Sequence, residues 1–172
     1  RTIVCNSLSK TYSITGWRLG YVIANPEIID RVKKVHDFLT VGAAAPLMEA
    51  ATVGLKFDDK YYDELAAHYA HMKEVFVGGL KKLGLKYTDP QGAYYVLVDV
   101  SEFGVKDDVK FCEWLAQYVG VAAVPGSSFF REDVNNLIRF HFAKQDDTLN
   151  EAINRLAGLR KAVAEAGDVE WR

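Results

Sequence analysis

Five residues near the start of the chain carry groups that could act together: Ser7, Ser9 and Lys10 in the run SLSK, then Gly16 and Arg18. Two hydroxyls can donate to phosphate oxygens, a guanidinium offers a fork suited to a dianion, and a glycine such as Gly16 lets backbone approach a ligand closely. A lysine amine held beside such a site can condense with a carbonyl compound to give a Schiff base, and can then move protons as general base and acid. The plainer alternative is a solvated surface lysine in a polar loop. A second candidate lies far away in the run NLIRFHFA. Alternation along a strand puts Ile138, Phe140 and Phe142 on one face and Arg139 and His141 on the other. By residue type alone the favoured reading of an arginine there is an ion pair on a solvated sheet face.

The elements that must position these groups follow from the patterning. TIVC and GYVIA are short apolar runs bounded by turn residues, the pattern of strands buried on both faces, and NSLSK follows the first of them. In α/β proteins ligands collect beyond the carboxyl ends of strands, which is where this run falls. A helix follows, with Asn25 as its cap, Pro26 in its first position and Ile28, Ile29, Val32, Val35 and Phe38 as its apolar residues. Another helix begins near Pro46, apolar around much of its circumference and therefore expected to be covered on more than one side. The composition becomes more charged from Asp58, where a long amphipathic helix runs to Gly84. Beyond it come a turn at 89–92, a strand in AYYVLVDV, a helix from Val105 to Gly120, a short strand VAAV leading into PGSSFF, the strand NLIRFHFA, and a closing helix capped by Asp146 or Asp147. Helices and strands alternate throughout, so the class is α/β or α+β.

The 172 residues are 49% hydrophobic and 26% charged, with a formal net charge of −2, the composition of an ordinary globular protein. No basic stripe marks the chain for nucleic acid, and no apolar run approaches the roughly 20 residues of a bilayer span, so neither partner is expected. Cys5 and Cys112 lack metal or redox spacing and read as two buried thiols in a reducing, cytoplasmic compartment. His68 and His71 have helical spacing but no accompanying ligand set, so no metal is expected there, and His36 and His141 receive no catalytic role.

The spacing of Ser7, Leu8, Ser9, Lys10, Gly16, Arg18 and Gly20 resembles the cofactor-attachment site of class I and II aminotransferases of the aspartate, aromatic and kynurenine type. The resemblance implies pyridoxal 5'-phosphate as cofactor, with Lys10 as the catalytic residue that carries it as a Schiff base and shuttles the substrate Cα proton. It implies that Ser7, Ser9 and Arg18 hold the cofactor with Lys10, that Arg139 binds the substrate α-carboxylate, and that Tyr94, in a strand resembling the one that brings an aromatic over the substrate, lines the pocket. Amino acids and 2-oxo acids are then the substrates and a homodimer the expected assembly. The family carries a phosphate loop, a ring-stacking aromatic and a ring-nitrogen aspartate before the lysine, whereas nine residues precede Lys10. The chain is accordingly read as the second half of such an enzyme, inactive by itself. Its expected fold is a partial pyridoxal-phosphate-transferase fold: a remnant of the large-domain sheet over residues 1–44, a connecting helix over 45–57 and a complete small α/β domain over 58–172. The lysine motif also fits relatives that eliminate or cyclise, β-lyases and aminocyclopropane carboxylate synthases, and the scaffold alone could serve as a non-catalytic binding or dimerisation module.

Overall fold

The computed structural model describes residues 1–172, which form two compact units, Arg1–Tyr62 and Asp63–Arg172. In the first, β1 (Val4–Ser7) and β2 (Gly20–Ile23) pair antiparallel, with Ser7 opposite Gly20. Every residue of both strands is exposed, in contrast to the buried strands expected from their apolar runs. A two-stranded ribbon has no third strand or covering helix to take up its side chains, so Val4, Val22 and Ile23 face solvent. Cys5 lies on this ribbon and is exposed for the same reason, against expectation.

Helix α1 (Pro26–Thr40) starts as its sequence predicts, with the Asn25 side chain accepting from the Glu27 N–H at 3.0 Å and proline in the first turn. None of its residues is buried. Helix α2 (Ala45–Gly54) buries Ala51 alone, not the several sides its composition suggested. Ala51 packs with Leu8 and Leu19, and Tyr12, Ile14, Trp17 and Leu47 close around them. This small cluster pins the segment between the two strands.

Helix α3 (Asp59–Lys82) runs from the first unit into the second and ends before Gly84, whose φ of 68° suits the left-handed turn at a helix end. The second unit is built on a wholly antiparallel sheet in the order β3-β4-β6-β5, comprising β3 (Lys86–Tyr87), β4 (Tyr95–Asp99), β5 (Val124–Pro125) and β6 (Leu137–His141). Val96 and Val98 alternate inward from β4, and Ile138, Phe140 and then Phe142 from β6, as the period-two pattern requires. They pack on Met72, Phe76 and Leu80 of α3 and on the helices that follow, giving one continuous core.

Helix α4 (Asp108–Trp114) is capped by the Asp107 carboxylate, which accepts from the Lys110 N–H, and passes into a π-helical turn at Leu115–Val119 before Gly120. One continuous α-helix was the simpler expectation; the wider turn keeps Leu115 fully buried. Of VAAV, only Val124 is in a strand. The closing helix is divided at Ala157–Gly158 into α5 (Asp146–Leu156) and α6 (Leu159–Glu165). Gln145 takes the cap position of α5 and makes no side-chain cap bond, and Asp146 is the first helical residue, its carboxylate instead meeting His71 Nε2 at 2.8 Å. No helix is long and apolar enough to cross a membrane.

Candidate functional site

The segment from Leu8 to Leu19 is a folded loop. The Leu8 N–H bonds the Leu19 carbonyl at 3.1 Å to extend the strand pair, and the Ile14 N–H bonds the Ser9 carbonyl at 2.9 Å. Thr15–Trp17 then forms a single 3₁₀ turn. Two non-glycine residues, Ser13 and Arg18, sit in the left-handed region with φ of 56° and 57°. Such conformations persist only where surrounding contacts impose them. Tyr12 supplies some of those contacts: its hydroxyl lies 2.7 Å from that of Tyr62, and the Tyr61 hydroxyl donates to the Thr11 carbonyl. The Tyr62 bond, followed by burial, pushes the Tyr12 phenol up to about 12. Gly54 is the close neighbour that admits the Tyr12 ring, since a Cβ there would lie 2.8 Å from it.

Inside this loop the candidate residues come together around one that sequence reasoning missed, Thr15. Ser7 Oγ donates to Ser9 Oγ at 2.9 Å and accepts from the Ser9 N–H at 3.2 Å. Lys10 Nζ donates to Thr15 Oγ1 at 3.3 Å, Thr15 Oγ1 donates to the Ser9 carbonyl at 3.2 Å, and Arg18 Nη1 donates to the Thr15 carbonyl at 2.9 Å. Lys10 and Arg18 are exposed and Ser9 is buried. Residues 1–24 contain Arg1, Lys10 and Arg18 and no aspartate or glutamate. Hydroxyls, cations and an amine in one loop without a carboxylate are a donor set for a dianion next to a nucleophile. Of the two glycines here, Gly16 in the 3₁₀ turn has open space beside it and Gly20 beyond the turn lies against backbone. A Cβ at Gly16 would meet nothing within 4 Å, whereas one at Gly20 would come within 2.6 Å of the Asn6 carbonyl oxygen.

In the second unit Arg139 projects from β6 opposite the core face. Its guanidinium carbon lies 4.2 Å from the centroid of Tyr95 and 3.8 Å from that of Phe129, so the charge is held by ring faces rather than by a carboxylate. Phe129 was not among the sequence candidates, although its turn PGSSFF was noted. Tyr94 is half-buried and stacks on Tyr69 with centroids 5.9 Å apart; it reaches the arginine site through Tyr95, whose hydroxyl donates to that of Tyr94 at 3.2 Å. His141 is held below the ordinary histidine range first by burial and then by the charges of Lys144 and Arg139. No group of three metal-ligating side chains is present.

The family model described as aminotransferase class I and II matches residues 1–156. The methionine aminotransferase of Escherichia coli (strain K12) is 37% identical over 160 residues, covering 92% of this chain and 42% of that protein. The aspartate aminotransferase of Pyrococcus horikoshii is 34% identical over 90% of this chain and 40% of its own length. Among solved structures, the N-succinyldiaminopimelate aminotransferase of Mycobacterium tuberculosis superposes with a TM-score of 0.83 at 34% identity, covering 92% of this chain and 42% of that one. The chain thus spans less than half the length of the relatives it matches. On the match of residues 1–156, which contain both the lysine loop and the arginine strand, the chain belongs to the class I and II aminotransferase family.

Proposed function

We propose that this chain supplies the lysine and the carboxylate-binding arginine of a pyridoxal 5'-phosphate-dependent aminotransferase that moves an amino group from an amino acid to a 2-oxo acid. The observation that carries the reading is the Lys10 amine in a loop with two hydroxyls, a second cation and no carboxylate. The cofactor, when bound, supplies a conjugated ring that accepts the electron pair released at the substrate Cα. Ser7, Ser9 and Arg18, the last now bonded to the Thr15 carbonyl, would hold its phosphate. The Lys10 amine would attach it and would serve as the base that takes the proton from the substrate Cα and the acid that returns one. Arg139, held against the rings of Tyr95 and Phe129, offers its N–H groups to the α-carboxylate, with the Tyr95 hydroxyl bonded to that of Tyr94. A cytoplasmic homodimer completes the reading, and the 172-residue chain alone is proposed to be inactive. Relatives named for amino transfer favour this outcome over elimination or cyclisation.

Borohydride reduction of the full-length protein that carries these residues, followed by peptide mapping, is expected to label Lys10, and Lys10→Ala is expected to abolish the label. Arg139→Lys keeps the charge but loses the fork. Its kcat/KM for amino acids is expected to fall by on the order of a hundredfold, with the label on Lys10 retained. Label on another lysine, or unchanged turnover in Arg139→Lys, overturns the corresponding assignment.

A further inference from the structure

Asp108 is only 2% exposed, the one acidic side chain in the chain buried to that degree. A buried carboxylate must find donors, and Asp108 finds both of them on one residue. Its Oδ2 accepts from the Ser127 backbone N–H at 2.8 Å and its Oδ1 from the Ser127 hydroxyl at 2.9 Å. Ser127 lies in the 3₁₀ turn Gly126–Phe129, and the last residue of that turn is the ring over Arg139. The other side of the turn is fixed as well. A side chain at Gly126 would strike the carbonyl oxygen and Cβ of Leu137, two residues before the arginine, so the turn lies directly on β6. Strand register adds a third restraint, with Val124 opposite Arg139 and Pro125 opposite Ile138.

We propose that Asp108 is a positioning residue for the anion site at Arg139, acting through Ser127 and Phe129. The inference rests on the reading of Arg139 as the carboxylate-binding residue. A guanidinium whose carbon lies 4.2 Å from one ring centroid and 3.8 Å from another moves only at the cost of those contacts. With two rings against the guanidinium carbon, an anion reaches the arginine through the N–H groups that the rings leave open. Those groups suit a planar carboxylate, which forms two parallel bonds with them. Asp108 holds the turn that holds Phe129, and so fixes the guanidinium before substrate arrives.

The test uses Ser127→Ala, which removes one of the two bonds with little change in shape, together with Asp108→Asn and Phe129→Leu. In the full-length protein all three are expected to raise KM for the amino acid by about tenfold while kcat stays within about twofold and the cofactor link to Lys10 is retained. In the 172-residue chain, the ¹⁵N–¹H resonance of Arg139 Nε is expected to move in all three, because the Phe129 ring current is lost or displaced. An unmoved resonance in Ser127→Ala and Asp108→Asn overturns the proposal, even if KM rises. Should Arg139→Lys leave turnover unchanged, the carboxylate role of Arg139 fails, and the resonance alone then decides whether Asp108 positions the arginine.

Discussion

A methyl group added at Gly20 would sit 2.6 Å from the Asn6 carbonyl oxygen, backbone against backbone, while one added at Gly16 would meet nothing within 4 Å. Gly20→Ala is therefore expected to force the strand pair apart at Ser7, its register partner, and to destabilise the first unit by about 1–3 kcal/mol. Gly16→Ala in the ligand-free chain should change this local stability by no more than about 0.5 kcal/mol, and hydrogen exchange at the Leu8 and Ile14 amides of the two variants checks the contrast. The cysteines separate in the same way. Burial first, and then the Asp108 charge, push the Cys112 thiol up to about 12, whereas Cys5 is exposed. Ellman's reagent should titrate one thiol in the native chain and a second only after unfolding. At this scale the sequence was informative where the chemistry depends on spacing along the chain: Ser7, Ser9, Lys10 and Arg18 do meet in one loop. Thr15 and Phe129 escaped notice because their roles depend on which way a turn points them, and residue types alone do not carry that direction.

Between elements, the end of β4 is tied to β6 through Asp99. Burial would raise its carboxyl, but the Ser101 hydroxyl and N–H, the Asn136 amide and the Lys86 charge outweigh it and hold Asp99 below the ordinary range. A depressed folded-state value contributes stability above the unfolded value of about 4, and that contribution is lost as pH falls through the folded one. Asp99→Asn is thus expected to cost at most about 1 kcal/mol at neutral pH, and in denaturant melts the gap from the parent should narrow as pH falls below the unfolded value and close once the folded carboxyl is protonated. A gap that stays constant across this range would show that packing, not ionisation, holds the junction. Strands whose side chains alternate in and out, such as Val96 and Val98 in β4, were legible because the period reports a real interior. TIVC and GYVIA read as strands, but an apolar run reports only what a strand could bury, and burial also needs a neighbour. The cap of α5 was assigned to Asp146 or Asp147, since both residue types favour that position, but His71 draws the Asp146 carboxylate elsewhere.

The two units differ in what holds them together. The second has a core that includes Phe76, Leu80, Phe111, Leu115, Phe140 and Trp171, while the first buries Leu8, Leu19 and Ala51 and leaves Phe38 92% exposed. A polypeptide of residues 63–172 is expected to unfold in one cooperative heat-absorbing transition, and residues 1–62 alone to show none. Replacing Phe111, which is fully buried, by alanine should cost about 3–5 kcal/mol in that transition. The apolar surface of β1, β2 and α1 should make the whole chain bind the dye ANS more strongly than residues 63–172 do. Equal dye binding by the two would contradict this account of the first unit.

The left-handed backbone of Ser13 and Arg18 sets the loop's fitness for two different tasks against each other. Each residue holds a conformation that glycine adopts freely, at a cost of about 1 kcal/mol. Under selection for heat resistance alone, both positions would drift towards glycine or asparagine. On the proposed role of Arg18, selection for turnover of the full-length protein would leave only position 13 free to drift, because glycine at 18 removes the guanidinium along with the strain. A library randomised at both positions would make this visible: stability would improve at either site, and activity would survive the improvement at only one.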